Sequence, residues 1–574
     1  MKTAPKPRDS EKNRAPKPWF AVFRFSILRF SIFWQRAFCS AALFFLLLPT
    51  LWLPPQPDSS IYWLAGRAIA RGEMPYTAIF DIKPPGIHLL FALPAAFGTS
   101  AMESWMLVRI LDLAFLILSA WLIGRIAARL LDSSLASVVT MWFLVLHLSG
   151  QMAGFAQTET WALPFFLFAW WILPVSTKNE TANNSARARF ALMPFALTRF
   201  ALSGLSSGII FVCKPTSAVP IFGLLLIALW RFVSTKNEKA SLETAIFTTA
   251  KANLRETFFK FALWILGFAL PVLAAIFWLQ ARGAWPNFVE IWRDFLTPYI
   301  ESARDPAPGH LLVWVFLSAF YIARFPLPCV LILLGFLARA PWKSGARHIV
   351  FAVFAGALVA LWMQNRLFEY HLKILLPVAA IVATAGAAEV ARLARFSPRR
   401  SAIFLFALPA IYALGTRGTA IIAAPLVASQ HFPRASWFEI IEKKARVAER
   451  DESVAAAGEW MRARARPQDT LMVWGFAPQL YLWSDLKPAS RFVYLPPLAA
   501  SYAPARWKTE FLARFKKQPP RFFVVVEENL KWHGVKSETP ARVLREWKSL
   551  DSFFTPRYFR AARWPGIEVW QRKK

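Results

Sequence analysis

The residues able to do chemistry gather in and around one polar stretch, Pro57–Gly86 (PDSSIYWLAGRAIARGEMPYTAIFDIKPPG), which follows the first long apolar run. It carries Asp58, Arg67, Arg71, Glu73, Asp81 and Lys83. Carboxylates of this kind deprotonate a hydroxyl nucleophile or bind a divalent metal ion. A lysine at a membrane face grips a phosphate as a compact point charge. Tyr62, Trp63, Tyr76 and Phe80 suit stacking on a sugar or lining a lipid groove, although anchoring at the interface is the commoner use of such rings. Pro84-Pro85 stiffen the chain just after Lys83 and keep it extended. That suits a fixed phosphate grip and equally a plain helix start after a turn.

A membrane body must hold these groups. The 574-residue chain is 56% hydrophobic and 16% aromatic, with a mean hydropathy of +0.38. It exceeds one ordinary domain, and its apolar residues come in runs long enough to span a bilayer. In a soluble protein the net charge of +33 would point to nucleic acid. Here Lys and Arg fall mainly in tails, in short gaps between apolar runs and in the C-terminal region. The gaps fit cytoplasmic loops and anionic headgroups. No RNA-binding signature or Cys/His finger occurs, so membrane lipids and not nucleic acid are the expected surroundings. Cys39, Cys213 and Cys329 lie singly in or beside apolar segments, which gives neither a disulfide framework nor a zinc spacing.

The alternation of apolar runs and basic gaps sets a topology. Residues 1–36 form a basic, Pro-rich cytoplasmic tail whose Trp19–Trp34 part suits the interface. The membrane domain is expected over 37–430, with a first outer loop at 54–104 in which Pro84–Gly98 is a short interfacial or re-entrant helix. Spans are expected at Ala37–Leu53, Trp105–Ile123, Leu135–Leu148, Thr160–Leu173, Ala201–Cys213, Ala218–Trp230 and Phe261–Leu279. Further spans follow in the second half of Leu311–Leu337, then Ile349–Met363, Leu372–Ala391 and Ile403–Val427, about eleven in all. The loops Ser176–Arg199 and Arg231–Lys260 are basic and expected inside; both carry the short repeat Ser-Thr-Lys-Asn-Glu. On this topology Asp58, Asp81, Lys83, Glu159, Lys214, Glu369 and His371 share the outer face. Ionisable groups near membrane depth are costly and usually functional; the convergence of several on one face weighs more than any one of them.

From about Ser436 the composition becomes that of a soluble domain, and 431–574 is expected to form a small α/β unit of about 140 residues. Trp437–Ala465, Ala505–Lys517 and Pro540–Leu550 read as helices. Thr470–Trp474, Arg521–Val526 and Gly566–Gln571 read as strands. An odd number of spans places this unit outside, with Pro57–Gly86.

The run Asp58–Gly86 (DSSIY…GEMPYTAIFDIKPPG) resembles the first outer loop of the GT-C glycosyltransferases. It is most similar to the dolichyl-phosphate-mannose–protein mannosyltransferases and their aminoarabinose-transferase (ArnT-like) relatives in bacteria. Further likenesses follow in order: Arg109, Thr158-Glu159-Thr160, Gly208 through Lys214-Pro215-Thr216, Tyr370-His371 with Leu375-Leu376-Pro377, Val473–Tyr481 and Pro488–Phe492. The resemblance implies a polytopic α-helical GT-C membrane protein with interfacial helices, in the bacterial inner membrane, its C-terminal domain periplasmic. It implies transfer of a hexosyl or pentosyl group from a polyprenyl-phosphate sugar donor to a periplasmic glycan, lipid or protein acceptor. The family's base maps to Asp58, where Ser59 stands in place of the acidic residue that often follows; Asp81 is the second candidate. Lys83 would meet the donor phosphate, supported by His371 and Lys214, with Tyr62 and Tyr370 beside the substrate. Glu159 matches a second acidic position, for acceptor positioning or a metal. No cofactor is required on this reading, and a divalent ion is left open. Transfer would be an inverting single displacement, since a phosphate leaving group needs no strong general acid. Two rival readings are a flippase for lipid-linked sugars, for which no matching halves are seen, and a non-catalytic envelope assembly protein.

Overall fold

A computed structural model describes residues 47–150, 154–173, 186–237, 243–302, 325–338, 341–364, 368–428, 433–442, 445–531, 534–536 and 539–573. The basic tail, most of the expected span Ala37–Leu53, the first copy of the repeat and the first half of Leu311–Leu337 lie outside the described residues.

The expected first outer loop is mostly helix. Pro57 opens α1 (Pro57–Ala70), with Asp58 in its first turn, where the exposed N–H groups and the helix dipole favour a carboxylate. Pro85 opens α2 (Pro85–Phe97). Between them the chain turns through Tyr76 at φ 70°. The short helix expected at Pro84–Gly98 is thus preceded by a second one that was not expected; the small and aromatic residues bury on both, Gly66 lying so close to α2 that an added Cβ would fall 2.5 Å from the Phe91 carbonyl carbon. Helix α3 (Ala101–Leu130) then starts at a capping box in which Ser100 and Glu103 bond each other's backbone N–H.

The membrane bundle continues through α4 (Ala136–Ser149), α5 (Thr158–Ile172), α6 (Ala186–Cys213), α7 (Val219–Asn237), α8 (Glu243–Ala281), α9 (Pro326–Leu337), α10 (Ala346–Gln364), α11 (Leu376–Leu393) and α12 (Pro398–Ala428). Helices α6 and α8 include residues expected in basic loops, because Ala, Leu, Arg, Lys and Glu are good helix formers whether or not they face lipid. Among the described residues five helical stretches are long and apolar enough to cross a bilayer: Ala101–Leu130, Arg255–Ala281, Ala346–Gln364, Glu369–Leu393 and Pro398–Ile421. Five shorter apolar helices accompany them. The protein is thus a helical membrane protein. Where lipid gives helices no hydrophobic reason to associate, small residues let backbones approach. A Cβ at Gly267 of α8 would lie 2.1 Å from the Ala201 carbonyl oxygen of α6, and one at Gly386 of α11 would lie 2.0 Å from that of Leu331 on α9.

Beyond the bundle, α13 (Arg434–Glu442) and α14 (Ala445–Arg462) lie where one long helix was expected. Their apolar faces serve different cores: Trp437, Phe438 and Ile441 join the bundle, whereas Val454, Ala457 and Met461 join the sheet. A five-stranded sheet follows in the order β2-β1-β3-β5-β4, built from β1 (Thr470–Trp474), β2 (Lys487–Pro488), β3 (Phe522–Val526), β4 (Tyr558–Trp564) and β5 (Ile567–Arg572). Strand β1 runs parallel to β2 and β3, and β5 runs antiparallel to β3 and β4. Every residue of β3 is buried, as a central strand covered on both faces must be. Helix α15 (Ala505–Lys517) packs Trp507, Phe511 and Phe515 on this sheet.

Among the described residues two large hydrophobic cores form. One belongs to the bundle. The other joins Tyr62, Trp63, Tyr76, Phe80 and Phe91 of the α1–α2 region to Trp474, Phe492, Trp507 and Phe523 of the sheet domain. The polar stretch is therefore built into the sheet domain's core.

Overpacking in a tight helix crossing costs about 1–3 kcal/mol. Gly267→Leu should accordingly lower the thermal unfolding temperature of the purified protein by several degrees, whereas Gly418→Ala, at a position with nothing within 4 Å, should leave it unchanged or raise it.

Candidate active site

The site forms where α1, the 76–85 turn, the start of α5, the end of α6 and the 3-10 helix Glu369–Leu375 meet. Gly86 brings the turn to α6: a Cβ there would fall 2.6 Å from the Val212 carbonyl oxygen. The absence of a side chain seats Lys83-Pro84-Pro85 beside Lys214, which follows α6.

Asp58 is half-buried, and its Oδ2 accepts a hydrogen bond of 3.0 Å from the Tyr370 hydroxyl. Burial pushes its carboxyl above the ordinary aspartate range; Lys83 and the Tyr370 hydrogen bond oppose that, and the charges of Asp81 and Glu159 add to it. Burial alone would lower the Lys83 ammonium, but Asp58, Asp81 and Glu159 outweigh it and hold the ammonium above its usual value. Lys83 is therefore a firm cation facing three carboxylates.

Glu159 is buried at the start of α5. Its Oε1 accepts from Lys214 Nζ and lies 3.7 Å from His371 Nε2, while Thr158 Oγ1 donates to its Oε2 at 2.7 Å. Lys214 Nζ also stands 6.0 Å from the centre of the Tyr370 ring, whose edge meets the His371 ring at 4.6 Å. Tyr370 thus connects Asp58 to the Glu159–Lys214–His371 group.

Two of the expected residues sit behind this surface. Asp81 is 3% exposed; its Oδ1 accepts from the Ile82 N–H at 2.7 Å and its Oδ2 meets His88 Nε2 at 2.7 Å. It braces the turn that presents Lys83. Tyr62 is 1% exposed, edge-on to Phe91, with its hydroxyl 3.4 Å from Gln157 Oε1. Gln157 and His88 escaped the sequence reading. Gln157 lies two residues before Glu159, and His88 falls seven residues after Asp81 across a helix start, so no single regular element holds the pair. Arg109 also lies inside: it donates to the Thr50 carbonyl at 2.9 and 2.6 Å and to Asp112 Oδ2 at 3.0 Å, and Asp112 Oδ1 accepts from Trp161 Nε1 at 2.8 Å. This network ties α3 to α5 and so fixes Glu159.

Among the described residues no group of three His, Cys, Asp or Glu side chains converges as a metal site would require. The cation found on Glu159 is the Lys214 ammonium.

No protein-family model matches the sequence, and no curated protein does. Solved structures do: the fold is similar to that of ArnT. ArnT from Cupriavidus metallidurans bound to undecaprenyl phosphate superposes with a TM-score of 0.52 over 94% of this chain and 97% of its own, at 13% identity. Its apo form gives 0.52 over 94% and 98%, at 12% identity. The apo oligosaccharyltransferase of Archaeoglobus fulgidus gives 0.43 over 87% and 70%, at 13% identity. At such identities the likeness to ArnT establishes architecture, and the chemistry rests on the residues present.

Removing one partner of a buried ion pair strands the other charge, at about 3–5 kcal/mol. Glu159→Ala should therefore lower the unfolding temperature markedly. Glu159→Leu combined with Lys214→Met should recover most of that loss in the same thermal scan.

Proposed function

We propose that the protein is a membrane glycosyltransferase that moves a sugar from a polyprenyl-phosphate donor to an acceptor hydroxyl by single displacement. The observation that carries the reading is that Asp58, held by the Tyr370 hydroxyl, and the cation Lys83 stand within electrostatic reach of each other at one edge of an ArnT-like fold. The donor class is supported by the undecaprenyl phosphate bound to the structurally similar ArnT. The inner membrane, with this edge facing the periplasm, is the proposed location, and a periplasmic glycan, lipid or protein is the proposed acceptor.

The geometry supports a single displacement. The Tyr370 hydroxyl occupies Oδ2 of Asp58 and leaves Oδ1 for the acceptor. Asp58 takes the acceptor's hydroxyl proton as that oxygen bonds to the anomeric carbon. The bond from that carbon to the phosphate oxygen breaks, and its electron pair leaves with the polyprenyl phosphate. Lys83 neutralises the phosphate, with Lys214 and His371 behind it; the buried Glu159 holds those two in place. Charge that is already fixed in place needs no reorganisation as the phosphate departs.

Sugar transfer by the purified, lipid-reconstituted protein tests this, with a panel of polyprenyl-phosphate sugars as donors. Asp58→Asn should lower kcat by about a thousandfold with donor binding intact, and Asp81→Asn should act chiefly through the donor KM. Full activity in Asp58→Asn would move the base to another residue, and a well-folded wild type that neither turns over nor binds any donor would favour a non-catalytic protein.

The base must be ionised to act, so activity falls as pH drops through the Asp58 pKa. Because that value lies above the ordinary aspartate range, the acid limb of kcat/KM should lie above it too. Donor phosphate offsets the pull of Lys83 and adds negative charge. The acid limb of kcat should therefore fall at still higher pH than that of kcat/KM, as read from initial rates across pH.

A further inference from the structure

We infer that Arg491 of the sheet domain is a positioning residue for the donor grip at Lys83, so that the sheet domain is part of the donor site; this rests on the function proposed above. Arg491 belongs to no helix or strand, yet it is only 5% exposed.

Two of its hydrogen bonds reach the turn that carries Lys83. The Arg491 carbonyl accepts from the Phe80 N–H at 2.7 Å, and its Nη1 donates to the Tyr76 carbonyl at 3.4 Å. The Tyr76 hydroxyl in turn donates to the Lys83 carbonyl at 2.8 Å, and the Tyr76 N–H donates to the Ile79 carbonyl at 2.8 Å. Tyr76 sits in the left-handed region, a backbone state that persists only when its surroundings hold it.

The guanidinium is itself fixed from several sides. It meets Glu510 of α15 through Nε and Nη2 at 2.8 and 2.7 Å, and Glu290 through Nη2 at 3.4 Å. It lies 4.8 Å from the Phe492 ring centre and 5.7 Å from that of Trp507. Glu290 belongs to the short helix Trp285–Ile291 that follows α8, and it also accepts from Trp507 Nε1 at 2.7 Å. One planar fork thus joins bundle, sheet domain and turn. A lysine at this position has one point charge and cannot reproduce two parallel hydrogen bonds to Glu510.

A mere staple between domains would affect stability alone. A positioning residue makes two further demands: its loss must act through Lys83, and the donor must feel it. The test uses the full-length reconstituted protein and compares wild type with Arg491→Ala, Arg491→Lys, Tyr76→Phe, Lys83→Ala and the Arg491→Ala/Lys83→Ala pair. The readouts are donor KM and kcat with a polyprenyl-phosphate sugar, and the rate at which an amine-reactive reagent labels Lys83 in the donor-free protein.

Arg491→Ala should raise the donor KM about tenfold while kcat changes little, and should speed labelling of Lys83. Arg491→Lys should restore only part of both. The paired variant should equal Lys83→Ala, because the two residues act as one unit. Tyr76→Phe, which removes one hydroxyl and should fold even if Arg491→Ala does not, should shift KM and labelling the same way. Multiplying effects of Arg491→Ala and Lys83→Ala, or Lys83 labelling unchanged in both Arg491→Ala and Tyr76→Phe, would overturn the inference. If no donor binds to wild type while labelling still responds to Arg491, the function proposed above fails and the positioning contact stands.

Discussion

The seat of Phe80 is the constraint from which the rest of the site is measured. Its ring is fully buried and meets Phe295, Phe492, Tyr494 and Trp507 with centres 5.2, 5.9, 6.0 and 5.2 Å away. Phe295 comes from the segment after α8 and the other three from the sheet domain. A ring held from two parts of the chain fixes the backbone on either side, since aromatic side chains bury much area and edge contacts restrict their orientation. Asp81 follows directly and Lys83 two residues later. This edge is therefore placed by packing against the sheet domain, and not by the helix bundle alone.

Charge then decides what the edge can do. Asp58, Asp81 and Glu159 stand against Lys83, Lys214 and His371, and each acid has a fixed partner: the Tyr370 hydroxyl, His88 and Lys214 respectively. Among these, Asp58 is held by a neutral hydroxyl, while Asp81 and Glu159 meet ring or ammonium nitrogens. Burial raises the proton affinity of Asp58 against the pull of the Lys83 charge, which suits a base that must accept a proton and release it again. The paired acids suit roles in holding cations where a phosphate can meet them.

Much of this was legible in the sequence. The apolar runs gave a helical membrane protein, and Lys-Pro-Pro-Gly marked a chain held extended before a helix. Ala505–Lys517 and Thr470–Trp474 appear as expected, since a strong apolar stripe and a bounded β-branched or aromatic run carry their own signal. The helical state of Pro57–Ala70 was hidden because its small and aromatic residues bury on nearly every side, which erases the 3.6-residue period. Strands β2 and β4 were missed for another reason: a two-residue edge strand has no period, and β4 (YFRAARW) exposes arginine along an outer edge. His88, Gln157 and Arg491 depend on contacts between distant segments, and no local spacing encodes those.

The most direct measurement is a cryo-EM structure of the reconstituted protein with a non-transferable polyprenyl-phosphonate sugar. The account predicts the phosphonate against Lys83, with Lys214 and His371 behind it, and the anomeric carbon facing the free oxygen of Asp58. A phosphonate seated elsewhere, with Asp58 out of reach of the sugar, would contradict it.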